Sequence, residues 1–257
     1  ALFCDRSGDQ YQYQYQYHDR SQRAPPFANR TVGMLMTSLL DLYGSFLGVI
    51  TSCIVFLPMF NILEWRKRGT AAGFSSVQMV MPCLMKLCWL RFGLMTSNTL
   101  QIAMHSFSLC MNLIIIVSYA YYAPSVKNLS KQLAALFGTF GAIYLYVAML
   151  EGEAANDAMG KFAAASQNLM VIGGLYQIKD IVDKKTTEYV PCQMVFGILF
   201  IVSQWTIYAV LKKNWYLAAG NIPGLIMNLT MLALYVIYPP ITWRVPILGT
   251  QQEKKDE

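Results

Sequence analysis

The sequence is poor in charge, and its acidic residues avoid its apolar stretches. Charged residues make up 13% of the chain, about half the share that is usual in soluble domains. No acidic residue occurs between Glu64 and Glu151, and no carboxylate lies deep in any apolar run. Proton-driven carriers usually place a titratable carboxylate within a span, so a carrier with this sequence is predicted to work without a driving ion.

Residues that support catalysis or bind metals are also scarce. The chain has two histidines, His18 and His105, and its six cysteines show neither zinc-ligand spacing nor a disulfide framework. We therefore predict no enzyme activity, no metal site and no cofactor. The net charge of +6 does not indicate a nucleic-acid partner, because the basic residues lie between apolar runs and form no separate basic face.

Apolar runs, in contrast, are long and frequent. A membrane-spanning helix needs about 17–25 residues, and seven runs fit that length: 41–63, 77–95, 100–122, 132–150, 162–178, 192–211 and 217–239. The connections between them leave no room for a soluble domain. The sequence predicts an all-α integral membrane protein with seven transmembrane helices.

An internal repeat supports this number of spans. The segment from Trp89 to Pro124 recurs 116 residues later as Trp205 to Pro240, with more identical residues than chance would give at this composition. Two copies share an orientation only if an even number of spans separates their equivalent parts. We therefore predict two parallel three-helix repeats, residues 41–124 and 153–240, joined by a linker helix over 125–152.

The two ends and the loops predict how the chain lies in the membrane. Residues 1–40 are expected to be a disordered tail, or one foreign to the natural protein, and residues 241–257 a cytoplasmic tail. Eleven basic residues flank the spans on the side of the C-terminus and three on the other side, which predicts a cytoplasmic C-terminus and an N-terminus outside. The expected location is the plasma membrane, the Golgi membrane or both.

Short motifs occur in both halves in an order that is known from one family of transporters: Phe56-Leu57-Pro58, Leu87-Cys88-Trp89, Lys184-Lys185-Thr186, Trp205-Thr206-Ile207-Tyr208 and Asn221-Ile222-Pro223-Gly224. The chain resembles the SWEET, or MtN3/saliva, sugar transporters, which are built from parallel repeats. The resemblance implies facilitated diffusion of mono- or disaccharides in both directions by alternating access. The implied partners are the sugar and the lipid bilayer, and a homo-oligomer stays open.

The resemblance also implies a sugar site halfway through the membrane, formed by one tryptophan and one asparagine from each repeat. These correspond to Trp89, Trp205 and Asn221, while His105 stands where the family has its other asparagine. Indole faces match the C–H faces of a sugar, and amide or imidazole groups both donate to and accept from its hydroxyls. The remaining tryptophans are interpreted as interfacial anchors: Trp65, Trp215 and Trp243.

Further roles are implied for residues around that site. Met85 and Ile201, four residues before each tryptophan, stand where relatives tune substrate size, and their bulk favours a monosaccharide. The family's four hinge prolines correspond to Pro58, Pro191, Gly174 and a position near Gln78, and Pro82 lies about one turn deeper than the last of these.

Lys86, near the middle of the second span, is expected to face the cavity, to be deprotonated, or to bond backbone carbonyls. If it faces the cavity, the substrate could be anionic. Asn112 and Asn228 are interpreted as hydrogen-bonding neighbouring helices. Two alternatives stay open: a seven-helix receptor, and a carrier of the same architecture for another small metabolite.

Overall fold

The computed structural model describes residues 27–252, apart from residues 57, 73, 189, 191 and 247. Most of the predicted N-terminal tail, residues 1–26, therefore lies outside the described residues. The secondary structure within the described part is entirely helical, and the helices are α1 (Phe27–Ile54), α2 (Met59–Arg68), α3 (Val77–Met95), α4 (Thr99–Tyr122), α5 (Lys127–Ala148), α6 (Gly152–Asn168), α7 (Val171–Lys184), α8 (Cys192–Leu211) and α9 (Trp215–Ile237).

Two of the predicted spans are interrupted, so that nine described helices correspond to seven spans. Helices α1 and α2 make up the first span, with residues 55–58 between them, and α6 and α7 make up the fifth, with Leu169 and Met170 between them. Each of the other five helices corresponds to one predicted span. The predicted fold class, seven helices as two parallel three-helix repeats joined by a linker helix, is confirmed.

Two helices begin earlier than the apolar pattern predicts. Helix α1 begins at Phe27, so residues 27–40 of the predicted tail are helical and not disordered. Helix α6 begins at Gly152, although the fifth apolar run starts at residue 162. Charged residues end an apolar run but not a helix: the ammonium of Lys161 lies 2.6 Å from the carboxylate of Asp157, one turn away, and such pairs stabilise helices.

By length and composition alone, three helical stretches are long and apolar enough to cross a membrane: Leu35–Arg68, Thr99–Tyr122 and Trp215–Ile237. Val195–Leu211 is a shorter apolar helix. Helix α3 is less apolar, because it contains Lys86 and Arg91. Arg91 lies over the ring of Tyr144 in the linker helix α5, 5.0 Å from its centroid, so a neighbouring helix covers this charge.

The turns between α3 and α4 and between α8 and α9 show the repeat in atomic detail. Asn98 and Asn214, 116 residues apart, each cap the following helix, and their side chains accept from Gln101 N at 3.2 Å and from Leu217 N at 3.1 Å. The residue before each cap has a positive φ, 52° and 55°. At the other end of the repeats, the hydroxyls of two equivalent tyrosines donate to equivalent carbonyls, Tyr119 to Phe74 and Tyr235 to Val190.

Contacts divide the chain between Leu42 and Tyr43, and all packing described below lies within the unit that begins at Tyr43. Helix α3 packs against α4, α5 and α6, and α9 packs against α6, α7 and α8. One buried core joins the first repeat to one end of the second, through residues such as Met159, Ala163 and Leu217. A second, separate core lies at the other end of the second repeat, around Ile181 and Tyr235.

The segment after α9 belongs to this second core. Val245 is only 1% exposed, and the ring of Trp243 packs edge-on against Tyr235, with 6.2 Å between centroids. In the first repeat Trp65 packs in the same way against Tyr119, at 5.6 Å. Trp65 is thus a core residue, and its interpretation as an interfacial anchor is wrong. Its equivalent in the second repeat is Ile181, which is smaller, and Trp243 supplies the indole instead.

The packing of Trp243 against the second core leads to a prediction about stability. Trp243→Ala is expected to destabilise the protein by about 2 kcal/mol, because a large, partly buried aromatic side chain leaves the second core. The measurement is thermal unfolding in detergent, with Trp215→Ala as the control, since the Trp215 side chain is 65% exposed. Equal melting temperatures for the two variants would contradict the packing role of Trp243.

Glu188 forms hydrogen bonds with the segment after α9, and we expect the stability that these bonds contribute to depend on pH. Its carboxylate accepts from the hydroxyl and backbone N–H of Thr242 and from the backbone N–H of Ile241. These bonds hold the pKa of Glu188 below its ordinary value of 4.5. The stabilisation is therefore complete above that value and is lost as pH falls through the lower folded-state pKa. We expect wild type to melt above Glu188→Gln at pH 7, and the difference to shrink only below pH 4.5.

Candidate functional site

Two tryptophans predicted for the site make equivalent hydrogen bonds across the two repeats. Trp89 on α3 donates from Nε1 to Oε1 of Gln167 on α6, at 2.8 Å. Trp205 on α8 donates from Nε1 to Oγ1 of Thr51 on α1, at 2.9 Å. Thr51 and Gln167 are themselves 116 residues apart. Each indole therefore donates to a residue of the other repeat, and the two acceptors occupy equivalent positions in the first span of their own repeats.

Asn221 joins this arrangement through Gln167. The Gln167 Nε2 donates to Asn221 Oδ1 at 3.0 Å, and Asn221 Nδ2 donates to the backbone oxygen of Leu217 at 2.8 Å. A chain of hydrogen bonds thus runs from the indole of Trp89 to the amide of Asn221. Gly220 leaves room for it, because a Cβ there would lie 3.0 Å from Gln167 Oε1.

His105 packs against the ring of Trp89. Its imidazole is nearly parallel to the indole, with an angle of 11° and 6.2 Å between centroids. Trp89 is 1% exposed, while His105 and Trp205 are partly buried. Three of the four predicted substrate contacts, Trp89, His105 and Asn221, are thus brought together, and Trp205 occupies the equivalent place in the other repeat.

The two residues predicted to tune selectivity lie one turn before each tryptophan. Met85 is partly buried and packs against the core that contains Trp89. Ile201 is also partly buried, on α8. Their positions are symmetric, and their role in selectivity stays a prediction.

The predicted hinge residues differ in their surroundings. Pro58 precedes α2 at the break in the first span, whereas Pro82 lies inside the continuous helix α3. The break in the fifth span comes at Leu169 and Met170, before Gly174. Gly174 lies inside α7 and makes room for Met227, since a Cβ there would be 1.8 Å from the Met227 sulfur. Pro191 lies outside the described residues.

Gly174 and its neighbour Gly173 form a matched pair for testing this packing. Gly174→Ala is expected to displace the Met227 side chain and to cost about 1–3 kcal/mol by overpacking. A Cβ at Gly173 meets nothing within 4 Å, so Gly173→Ala should stabilise α7 by up to about 1 kcal/mol through helix propensity. Thermal unfolding of both variants checks the opposite signs, and two increases would contradict the close contact.

Lys86 bonds a side chain of the neighbouring helix. Its Nζ donates to Asn112 Oδ1 at 2.9 Å, and Asn112 Nδ2 donates to the backbone oxygen of Met79 at 2.7 Å. Asn112 therefore joins α3 to α4, as predicted. Asn228 Nδ2 donates to Gly224 O in its own helix, and its role between helices stays a prediction.

The repeats also meet on the predicted outer side of the site. The ring of Tyr216 on α9 lies edge-on to Phe92 on α3, at 5.5 Å between centroids. Its hydroxyl donates to Asp157 Oδ1 at 2.7 Å, and its ring passes so close to Gly160 that a Cβ there would lie 2.7 Å away. Among the described residues, no group of three histidine, cysteine or acidic side chains could hold a metal ion.

Comparisons with known proteins agree with this architecture. A sequence model of the family described as "Sugar efflux transporter for intercellular exchange" matches residues 157–242. "Bidirectional sugar transporter SWEET13" of Oryza sativa subsp. japonica is 28% identical over 215 residues, which cover 81% of this chain and 72% of that protein. "Sugar transporter SWEET1" of Mus musculus is 25% identical over 199 residues, 74% of this chain and 90% of that protein. Over most of its length the chain is similar to SWEET sugar transporters.

A solved structure supports the SWEET fold. "The 3.7 A resolution structure of a eukaryotic SWEET transporter" superposes with a TM-score of 0.68 at 18% identity and covers 78% of this chain and 98% of that chain. The resemblance seen in the sequence motifs is confirmed. Because the matched proteins are named as sugar transporters, this similarity also supports the prediction that the chain is not an enzyme.

Two residues of the site were not predicted from the sequence. Thr51 and Gln167 hold the two indoles, yet neither stands out in an apolar helix by itself. The signal that would have found them is the repeat: at the offset of 116 residues, a polar residue in the first span coincides with a polar residue in the fifth.

Proposed function

We propose that the chain is a membrane transporter that mediates bidirectional, ion-independent facilitated diffusion of sugars by alternating access. The observation that carries this proposal is the pair of indoles, Trp89 and Trp205, each bonded across the repeats at symmetric positions. Trp89, His105 and Asn221 bring together an apolar indole, an imidazole and an amide, the kinds of group that bind the C–H faces and hydroxyls of a sugar ring. The names of the relatives, all sugar transporters, support the same substrate class.

The distribution of buried residues supports alternating access. On the outer side the two repeats share one core and meet at Phe92 and Tyr216. On the cytoplasmic side the second repeat has a core of its own, around Tyr235. Contacts between the repeats on the outer side are those expected of a carrier that is closed towards the outside. Rocking of the repeats about the site would exchange the two states, with the break at Pro58 as one hinge.

The substrate moves without a driving ion because the site offers no carboxylate to bind one. Helices α3, α4, α5, α8 and α9 contain no acidic residue, and a carboxylate within a span is the usual proton carrier. The protein resides in the plasma membrane, the Golgi membrane or both, with its C-terminus in the cytoplasm. Selectivity among sugars rests on Met85 and Ile201, whose bulk favours monosaccharides.

The test is transport in cells that lack native sugar carriers. We expect expression of the chain to give uptake and efflux of labelled glucose, fructose or sucrose, and a proton uncoupler to leave both unchanged at a constant sugar gradient. Loss of uptake on uncoupling would contradict the ion-independent mechanism. Absence of flux for every sugar, with the protein at the membrane, would contradict sugar transport.

A carrier for another small metabolite is the second candidate, and Lys86 is the observation that favours it. A buried ammonium on the helix that carries Trp89 would suit an acidic metabolite. Inclusion of labelled aspartate and glutamate in the same assay decides between the two, since the proposed sugar carrier takes up neither.

A further inference from the structure

Lys86 is a buried lysine that forms no ion pair within the part of the chain that the structure describes. Its side chain is 9% exposed, and it takes part in none of the ion pairs among the described residues, which lie on exposed helix surfaces. Its recorded hydrogen bond goes to the neutral amide of Asn112. A buried charge is costly unless an opposite charge or several hydrogen bonds compensate it. An anion bound next to Lys86 would therefore be stabilised.

The ammonium lies beside the proposed sugar site. Lys86 precedes Trp89 by three residues on α3, which places the two side chains on adjacent faces of the helix and about 4.5 Å apart along its axis. Because α3 runs from the cytoplasmic side outwards, Lys86 lies on the cytoplasmic side of the indole. His105 stacks on the same indole.

The two halves of the site differ in charge at symmetric positions. In the second repeat, Val202 stands at the position equivalent to Lys86, and Asn221 at the position equivalent to His105. One half therefore presents the ammonium of Lys86 and the imidazole of His105, while the other presents the amides of Asn221 and Gln167. A neutral sugar could use the amides and the indole, but it would leave the ammonium uncompensated.

We propose that the carrier prefers a monosaccharide that bears one carboxylate, a uronate, whose anionic group binds near Lys86. This proposal rests on the proposed sugar transport and adds the charge of the substrate. The amides of Asn221 and Gln167 bind ring hydroxyls, the indole of Trp89 covers a C–H face, and the ammonium pairs with the carboxylate. One ammonium matches one negative charge, which favours a monoanion over a sugar phosphate.

The experiment compares glucose with glucuronate, which differ only in the group at carbon 6. Full-length protein in sealed liposomes is given either labelled sugar, with and without an inside-positive membrane potential. We expect glucuronate uptake to exceed glucose uptake and to rise with the potential, because each turnover carries a negative charge, whereas glucose uptake is indifferent to it. Glucuronate should also inhibit glucose uptake.

Variants at Lys86 separate the charge from the fold. Lys86→Gln keeps a donor for Asn112 but removes the charge, and it should lower the ratio of glucuronate to glucose uptake at least tenfold; Lys86→Arg should retain the ratio. Val202→Gln, at the equivalent position, is the matched control and should leave this ratio unchanged.

Saturable glucose uptake that glucuronate does not inhibit, or an unchanged ratio in Lys86→Gln, would overturn this inference and leave sugar transport intact. Absence of uptake of both sugars would overturn both.

Discussion

Replacement of Trp89 by alanine is expected to abolish sugar flux and to lower stability. Trp89 is 1% exposed, and loss of such a side chain from a core costs about 3–5 kcal/mol. The same change removes the ring that stacks on His105 and the donor to Gln167. Flux in cells and thermal unfolding in detergent measure the two effects.

Trp89→Phe separates transport from folding. Phenylalanine keeps an aromatic ring against His105 but has no donor for Gln167 Oε1, and a buried acceptor without a partner costs about 1–3 kcal/mol. We expect flux to fall roughly tenfold or more while the protein still reaches the membrane. The matched control is Trp215→Phe, at a position 65% exposed, which should retain full flux. Full activity in Trp89→Phe would show that the indole N–H has no part in transport.

Replacement of Asn221 by alanine is the second large effect. The variant loses the acceptor for Gln167 Nε2 and one of the amides proposed to bind sugar hydroxyls. Each lost hydrogen bond in a buried site costs about 1–3 kcal/mol, so flux is expected to fall by one to two orders of magnitude. The measurement is the initial rate of labelled sugar uptake at equal amounts of protein in the membrane.

Asn228 provides a close control on the same helix. Both asparagines are buried, and both donate to the backbone oxygen four residues earlier. Only Asn221 contacts Gln167. Asn228→Ala should therefore cost a similar amount of stability but leave flux within about twofold of wild type. Equal loss of flux in both variants would assign the effect to helix packing and would remove Asn221 from the site.

The fold could be predicted from the sequence because its signals are periodic and duplicated. Seven apolar runs and the repeat at 116 residues give the number and order of helices, and the capping residues Asn98 and Asn214 recur at the same offset. Helix ends were less predictable. Helix α6 continues through Asp157 and Lys161 because pairing between these side chains keeps the helix favourable where hydropathy stops.

The site could be predicted in part. Trp89 and Asn221 follow from the motifs, but the residue that joins them, Gln167, belongs to a helix that is distant in sequence, and its contact depends on how the repeats dock. The roles of Trp65 and Trp243 could not be read from the sequence either. An indole near a span end is usually interfacial, and only the packing against Tyr119 and Tyr235 shows that Trp65 is buried in one core and that Trp243 packs against the other.

The central claim is passive movement of a sugar through a site between two repeats. Its most direct test is net flux through the purified protein in sealed liposomes without any ion gradient. We predict that labelled sugar enters empty vesicles and leaves loaded ones by a saturable route, and that the internal concentration stops at the external value. Vesicles impermeable to neutral and acidic monosaccharides alike, or accumulation above the external concentration, would contradict the account.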